Sequence, residues 1–218
     1  IENEIMNEPA FVAFLQDSHN PDPNPSERPG RWIGVTGSPT QNVSIKRYKM
    51  GPGALFEKNC ETTGFANICS PLSIGLKTGE YMPISGSAEL PQDQSADDAL
   101  SVCFEDKQLT APLDLLGTPN LYLRASSDFS CGLIAARLCD VAPDGTSTLI
   151  SYGVLNLKQR NGRETLAELT PGENVDVVIR LNDIGWSLKP QHKVRLALSS
   201  QLWPMAWPVA ERATITLD

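Results

Sequence analysis

Residues 119–157, PNLYLRASSDFSCGLIAARLCDVAPDGTSTLISYGVLNL, constrain the fold more than any other stretch. They contain three strand-like runs and one strong turn, Pro143-Asp144-Gly145. Proline presets φ at the second turn position, and glycine accepts the positive φ of the exit. Residues 133–141 and 146–157 flank that turn and are long enough to pair as a hairpin. Residues 133–138 are apolar on both faces apart from Arg137, which predicts a central strand covered on both sides. A buried arginine needs a partner; Asp140 or an aspartate on a neighbouring strand is the expected one.

The remaining chain reads as more strands separated by turns. Residues 9–15, 31–35 and 43–50 are expected strands, with the Pro/Asn/Asp-rich loop 17–29 after the first. In the third, Val43, Ile45 and Arg47 alternate with Ser44, Lys46 and Tyr48. Residues 174–182 place Val175, Val177, Ile179 and Leu181 on one face, the cleanest half-buried pattern in the chain. A turn at Lys189-Pro190 leads to residues 193–200, and residues 212–217 turn Ile215 and Leu217 inward. No segment carries helical spacing over three turns. Eight to ten strands with turn signals between them predict an all-β fold with long loops and little helix, a two-sheet jelly-roll sandwich. The organisation expected is one β-sandwich domain over residues 1–218. Leading strands and the Pro-rich loop occupy 1–50, a long loop region 51–91, and the main sandwich 92–218.

Composition excludes several function classes. The net charge is −8 and no Lys/Arg run exists, so the basic footprint of a nucleic-acid binder is missing. No apolar run approaches the ~20 residues of a membrane helix. Cysteines stand at 60, 69, 103, 131 and 139, an odd number without a CxxC. That pattern predicts reduced, mostly buried thiols in a cytoplasmic protein rather than a disulfide framework or zinc site. The opening IENEIMNEPAF has neither a signal peptide nor an initiating methionine and reads as a piece of something longer.

A search for chemistry finds little. No serine carries glycines two places before and after it, so the nucleophile elbow is missing. His19 lies in the Pro-rich loop. His192 precedes a strand and could be oriented by Asp183, but no nucleophile can be paired with it, and an exposed turn residue is the expected reading. Asp93, Asp97 and Asp98, with Asp140, are acidic enough for calcium, yet their spacing does not match an alternating DxDxDG loop; capping of backbone groups is expected instead. No cofactor is expected. Trp32, Trp186, Trp203 and Trp207 sit near loop ends. Trp203 and Trp207, held by Pro204 and Pro208, are expected to plug one end of the sandwich; an exposed aromatic face for sugar is the alternative.

Five strings in order, PQDQSADDALSVCFE, LDLLGTPNLYLRASSD, RLCDVAPDGTSTLISYGVLNL, LTPGENVDVVIRLNDIGW and LALSSQLWPMAWP, resemble the C-terminal domain of the X-Pro dipeptidyl-peptidase family, also called CocE/NonD hydrolases. The resemblance implies a galactose-binding-like jelly roll called non-catalytic. It also implies that an α/β-hydrolase domain of the same parent chain, carrying a Ser-Asp-His triad, is the partner. No residue here then inherits a catalytic role, and homo-oligomer contacts are an additional possibility. The jelly roll in relatives packs on the hydrolase domain and helps wall its cleft. Residues 70–90 are the expected wall, with Leu72 and Tyr81 as contacts beside the Trp203–Trp207 loop. A carbohydrate-binding sandwich module is the rival function.

Overall fold

The structure is a computed structural model that describes residues 7–35, 43–57, 66–80 and 89–218. Its described strands are β1 (Phe11–Asp17), β2 (Gly30–Val35), β3 (Lys49–Gly51), β4 (Ala54–Phe56), β5 (Ala66–Ile68), β6 (Val102–Glu105), β7 (Leu113–Gly117) and β8 (Asn120–Ser127). They continue with β9 (Leu133–Val141), β10 (Ser147–Asn156), β11 (Val175–Arg180), β12 (Ile184–Leu188), β13 (Lys193–Ser199) and β14 (Ile215–Leu217). Among the described residues the α-helix is a single turn, α1 (Ser95–Asp98).

The strands form a sandwich. One layer is a six-stranded sheet in the order β10-β9-β13-β6-β4-β3. The other holds two four-stranded sheets, β2-β1-β12-β7 and β11-β8-β14-β5. These two run into each other, because the pair β7–β12 continues as the pair β8–β11 across Thr118-Pro119 and Leu181–Asp183. Between the layers lies one apolar core. Phe104, Ile134, Ala136, Val194 and Leu198 meet Leu123, Ala125, Val177, Ile179, Trp186 and Ile215 there. Each is buried because period-2 alternation sends every second side chain to the same face.

The β9–β10 hairpin forms as its sequence predicts. Ala142 N–H donates to the Thr146 carbonyl at 2.9 Å, Thr146 N–H donates to Asp144 Oδ1 at 3.0 Å, and Gly145 takes φ +91°. A bulge between Leu149 and Ser151 then sets Tyr152 opposite Arg137 and Val154 opposite Ala135.

Three expectations need correction. Residues 43–48 are not a strand; pairing begins only at Lys49, and Ile45 is exposed. Alternation there has no neighbouring strand to bury it. β12 lies between the strand read over residues 174–182 and the turn at Lys189-Pro190, where no strand was expected. Trp186, Ser187 and Leu188 are all buried, so this covered strand shows no alternation, and it lies parallel to β1. Finally, the partner of Arg137 is Asp98 of α1 rather than Asp140 or an aspartate of an adjacent strand.

Candidate functional site

The outer face of the six-stranded sheet is covered by two loop groups, and their chemistry differs. Over Arg137 and Cys139 lies the segment around α1. Arg137 is fully buried. Its Nη1 stands 2.9 Å from Asp98 Oδ1 and donates to Gln94 Oε1 at 2.9 Å, while Nη2 donates to Ser101 Oγ at 2.9 Å. The Asp98 contact is an ion pair at an angle outside hydrogen-bond geometry. Asp98 Oδ2 accepts from Ser147 Oγ at 2.7 Å and from Arg195 Nη1 at 2.8 Å. Arg195 also binds Glu105, which Lys193 reaches at 2.9 Å. Two arginines and a lysine thus share two carboxylates across β9, β13, β6 and α1. Burial pushes the Cys139 thiol up to about 12, reinforced by the nearby Asp98 charge, so Cys139 is an unreactive packing group.

Glu105 titrates the opposite way. Burial raises its pKa, but the bonds from Lys193 and Arg195 outweigh that and hold it below the ordinary 4.5. The folded state therefore binds this proton less readily than the unfolded chain. Its stabilising contribution is complete above the unfolded value and is lost as pH falls through the lower folded value. Glu105→Gln is expected to lose less stability than the parent between about pH 5 and pH 3 in urea titrations. Superimposable pH slopes would show that the carboxylate plays no part.

The aspartates considered for calcium do not converge. Asp93 Oδ1 accepts the Ser95 and Ser147 N–H groups, each at 3.0 Å, and Asp97 Oδ2 accepts the Lys77 N–H at 3.1 Å. Asp98 serves the arginines, and Asp140 lies at the far end of β9. Among the described residues no three His, Cys, Asp or Glu side chains are placed to hold a metal.

Asp140 organises the second polar cluster. Its Oδ1 lies 2.7 Å from His192 Nδ1, and its Oδ2 accepts from Trp186 Nε1 at 3.0 Å and from Ser18 Oγ. The β9–β13 register explains the pairing: Asp140 stands opposite Val194, two residues from His192. His192 is therefore held by Asp140, not by Asp183, whose carboxylate binds Thr118 and Arg180. A hydrolytic triad needs histidine between serine and carboxylate. Here the carboxylate is central and accepts the serine hydroxyl directly, so the arrangement clamps the start of the Pro-rich loop to β9.

The second loop group covers Leu133 and Ala135. Leu202 is buried against them, and Tyr152, Val154, Met205 and Ala206 pack around it. Trp203 N–H donates to the Ile74 carbonyl at 2.9 Å, which ties the tryptophan loop to the turn around residues 71–78. From these joined loops three large apolar side chains project. Leu72 is 57% exposed, Leu76 59% and Trp207 80%. Trp203, half-buried, meets Trp207 edge to face, with centroids 5.3 Å apart at 76°. The expected tryptophan plug is therefore not formed: Leu202 occupies the sheet side, and the indole of Trp207 points away from the core. Nor do the rings lie side by side as a flat sugar platform would require. Tyr81 lies outside the described residues. Leu76 was missed by the sequence reading, although its spacing from Leu72 within a turn-rich stretch was visible.

A groove of about 350 Å³ opens between the Pro-rich loop, β10 and β12. His19 and Trp186 form part of its wall, their rings 5.3 Å apart, and Asp22 and Arg28 lie along it.

Comparison with known proteins places this architecture. The chain is 27% identical over 120 residues to cocaine esterase from Rhodococcus sp. (strain MB1 Bresler), a match covering 55% of this chain and 21% of that protein. The structure of an α-amino acid ester hydrolase superposes with a TM-score of 0.71 at 19% identity, covering 86% of this chain and 37% of the other. A CocE/NonD family hydrolase from Staphylococcus aureus does so at 0.65 and 13% identity, covering 100% and 40%. The chain thus spans between about one fifth and two fifths of these relatives. The model of the X-Pro dipeptidyl-peptidase C-terminal non-catalytic domain matches residues 3–218, and the chain belongs to that family.

Proposed function

We propose that this chain is the β-sandwich domain that completes a serine hydrolase of the CocE/NonD type, docking on its α/β-hydrolase domain and helping to wall the active-site cleft. The observation that carries the proposal is the exposed apolar face of Leu72, Leu76 and Trp207, backed by half-buried Trp203, on two hydrogen-bonded loops. Exposed apolar patches of this kind mark interaction surfaces. The occupant follows from length, since the relatives are about 2.5 to 5 times longer than the part this chain matches. The four described cysteines are free thiols, which supports a reducing, cytoplasmic setting.

The test compares two contexts. Leu72→Asp with Trp207→Asp is expected to change the stability of the chain alone by less than about 0.5 kcal/mol per substitution, because both sites are exposed. In the complete hydrolase the same pair is expected to lower Tm by several degrees, raise KM and open the domain junction to protease. Unchanged Tm, KM and proteolysis in the complete enzyme would exclude this face as the interface.

A further inference from the structure

The groove between the Pro-rich loop and strands β10 and β12 is built differently from the docking face. None of Leu72, Trp203 and Trp207 lines it. One wall is the tilted His19–Trp186 pair, with Pro21 and Pro25 as further rigid apolar surface. His19 is fixed in place. Its Nδ1–H donates to the Asp17 carbonyl at 2.9 Å, Thr148 Oγ1 donates to the His19 carbonyl at 3.1 Å, and Trp186 is anchored through Asp140. With Nδ1 donating, His19 Nε2 is an acceptor, and Gln16 Nε2 lies 3.5 Å from it.

Two charges in this groove are left to solvent by the fold. Arg28 and Asp22 both line it, and they do not pair with each other. Among the described residues neither has an ion-pair partner; Asp22 accepts one backbone N–H, from Asn24, at 2.8 Å. One cation and one carboxylate, separated and facing the same preformed space, suit a ligand bearing both signs. A phosphate would meet the repulsion of Asp22 and Asp183, and a purely apolar ligand would strip water from three charges without return. A sugar would need an open ring face, but Trp186 is buried under His19. The volume lies at the low end of small-molecule pockets, roughly 300–1,000 Å³.

We propose that this groove binds the zwitterion of a free amino acid or short peptide. Arg28 holds the carboxylate, Asp22 holds the ammonium, and the proline and ring wall packs on the side chain. Arginine suits the first task because its planar fork matches a carboxylate.

Isothermal titration of the full chain tests this with alanyl-phenylalanine, its N-acetyl form, its C-terminal amide, free phenylalanine and galactose. The free dipeptide or phenylalanine is expected to bind, and the tighter of the two identifies the source of the zwitterion. Either cap on the dipeptide is expected to weaken binding about tenfold or more, as loss of a charge-assisted contact does. Arg28→Gln should erase the difference between acid and amide, and Asp22→Asn that between free and acetylated amine. Both residues are exposed, so the variants keep the fold. No heat from either zwitterion up to about 10 mM, a range that covers weak small-ligand binding, overturns the proposal. So does equal binding of capped and free forms, or binding of galactose alone. None of these results bears on the docking face, whose failure would show only in the complete hydrolase.

Discussion

Replacing Arg137 with alanine is expected to lower the unfolding free energy by about 3–5 kcal/mol, the cost of removing one partner from a buried ion pair. The side chain is fully buried on β9. Its loss takes the guanidinium from Asp98 Oδ1, Gln94 Oε1 and Ser101 Oγ, of which Ser101 keeps its bond to the Asp97 carbonyl. Arg195 stays on Asp98 Oδ2, which keeps the carboxylate partly compensated and places the effect towards the lower end. The double variant Arg137→Met with Asp98→Asn should recover part of the loss, because no unpaired charge is then buried. Two-state urea titrations of parent, single and double variants decide this. A single-variant loss below about 1 kcal/mol, the scale of an exposed pair, would mean that the network is solvated rather than buried.

The second large effect is expected at Gly75. Its φ is +101°, a conformation that L side chains rarely adopt. An added Cβ would also lie 2.9 Å from the Trp203 backbone nitrogen and closer still to the Trp203 carbonyl oxygen. Both atoms belong to backbone already tied to Ile74, so neither can yield without moving the tryptophan loop. Gly75→Ala should therefore cost about 2–4 kcal/mol, backbone strain plus overpacking. Gly145 is the control. It also has positive φ, +91°, but its added Cβ would meet nothing within 4 Å. Gly145→Ala should then show the backbone cost alone, about 1 kcal/mol. Equal losses at the two sites would mean that the turn around residue 75 and the tryptophan loop are not rigidly joined. A rise in tryptophan exposure confined to the Gly75 variant would confirm that they are.

These two sites divide between what could and could not be read in the linear chain. Arg137 stood out in an apolar run, and its need for a partner was legible. The partner was not, because Asp98 lies 39 positions earlier on a single helical turn. Likewise His192 was visible, but its carboxylate is set by the β9–β13 register, which places Asp140 within reach and leaves Asp183 to Thr118. The tryptophan loop was recognisable by its prolines. Whether its indoles faced the sheet or solvent depended on Leu202 taking the sheet side. Strand β12 escaped notice because both its faces are covered, and a covered strand has no alternation to detect.

Local pattern by itself determined the all-β class, the β9–β10 hairpin with its Pro-Asp-Gly turn, and the inward faces of β11 and β14. Each follows from two-residue periodicity and from turn chemistry that acts over a few neighbours. Only the tertiary structure decided which distant charges share the buried network, which carboxylate holds His192, which loop residues remain exposed, and where a groove opens beside β10. Those outcomes depend on register and on the packing of one layer against another. Such contacts join residues far apart in the chain, and no local preference encodes them.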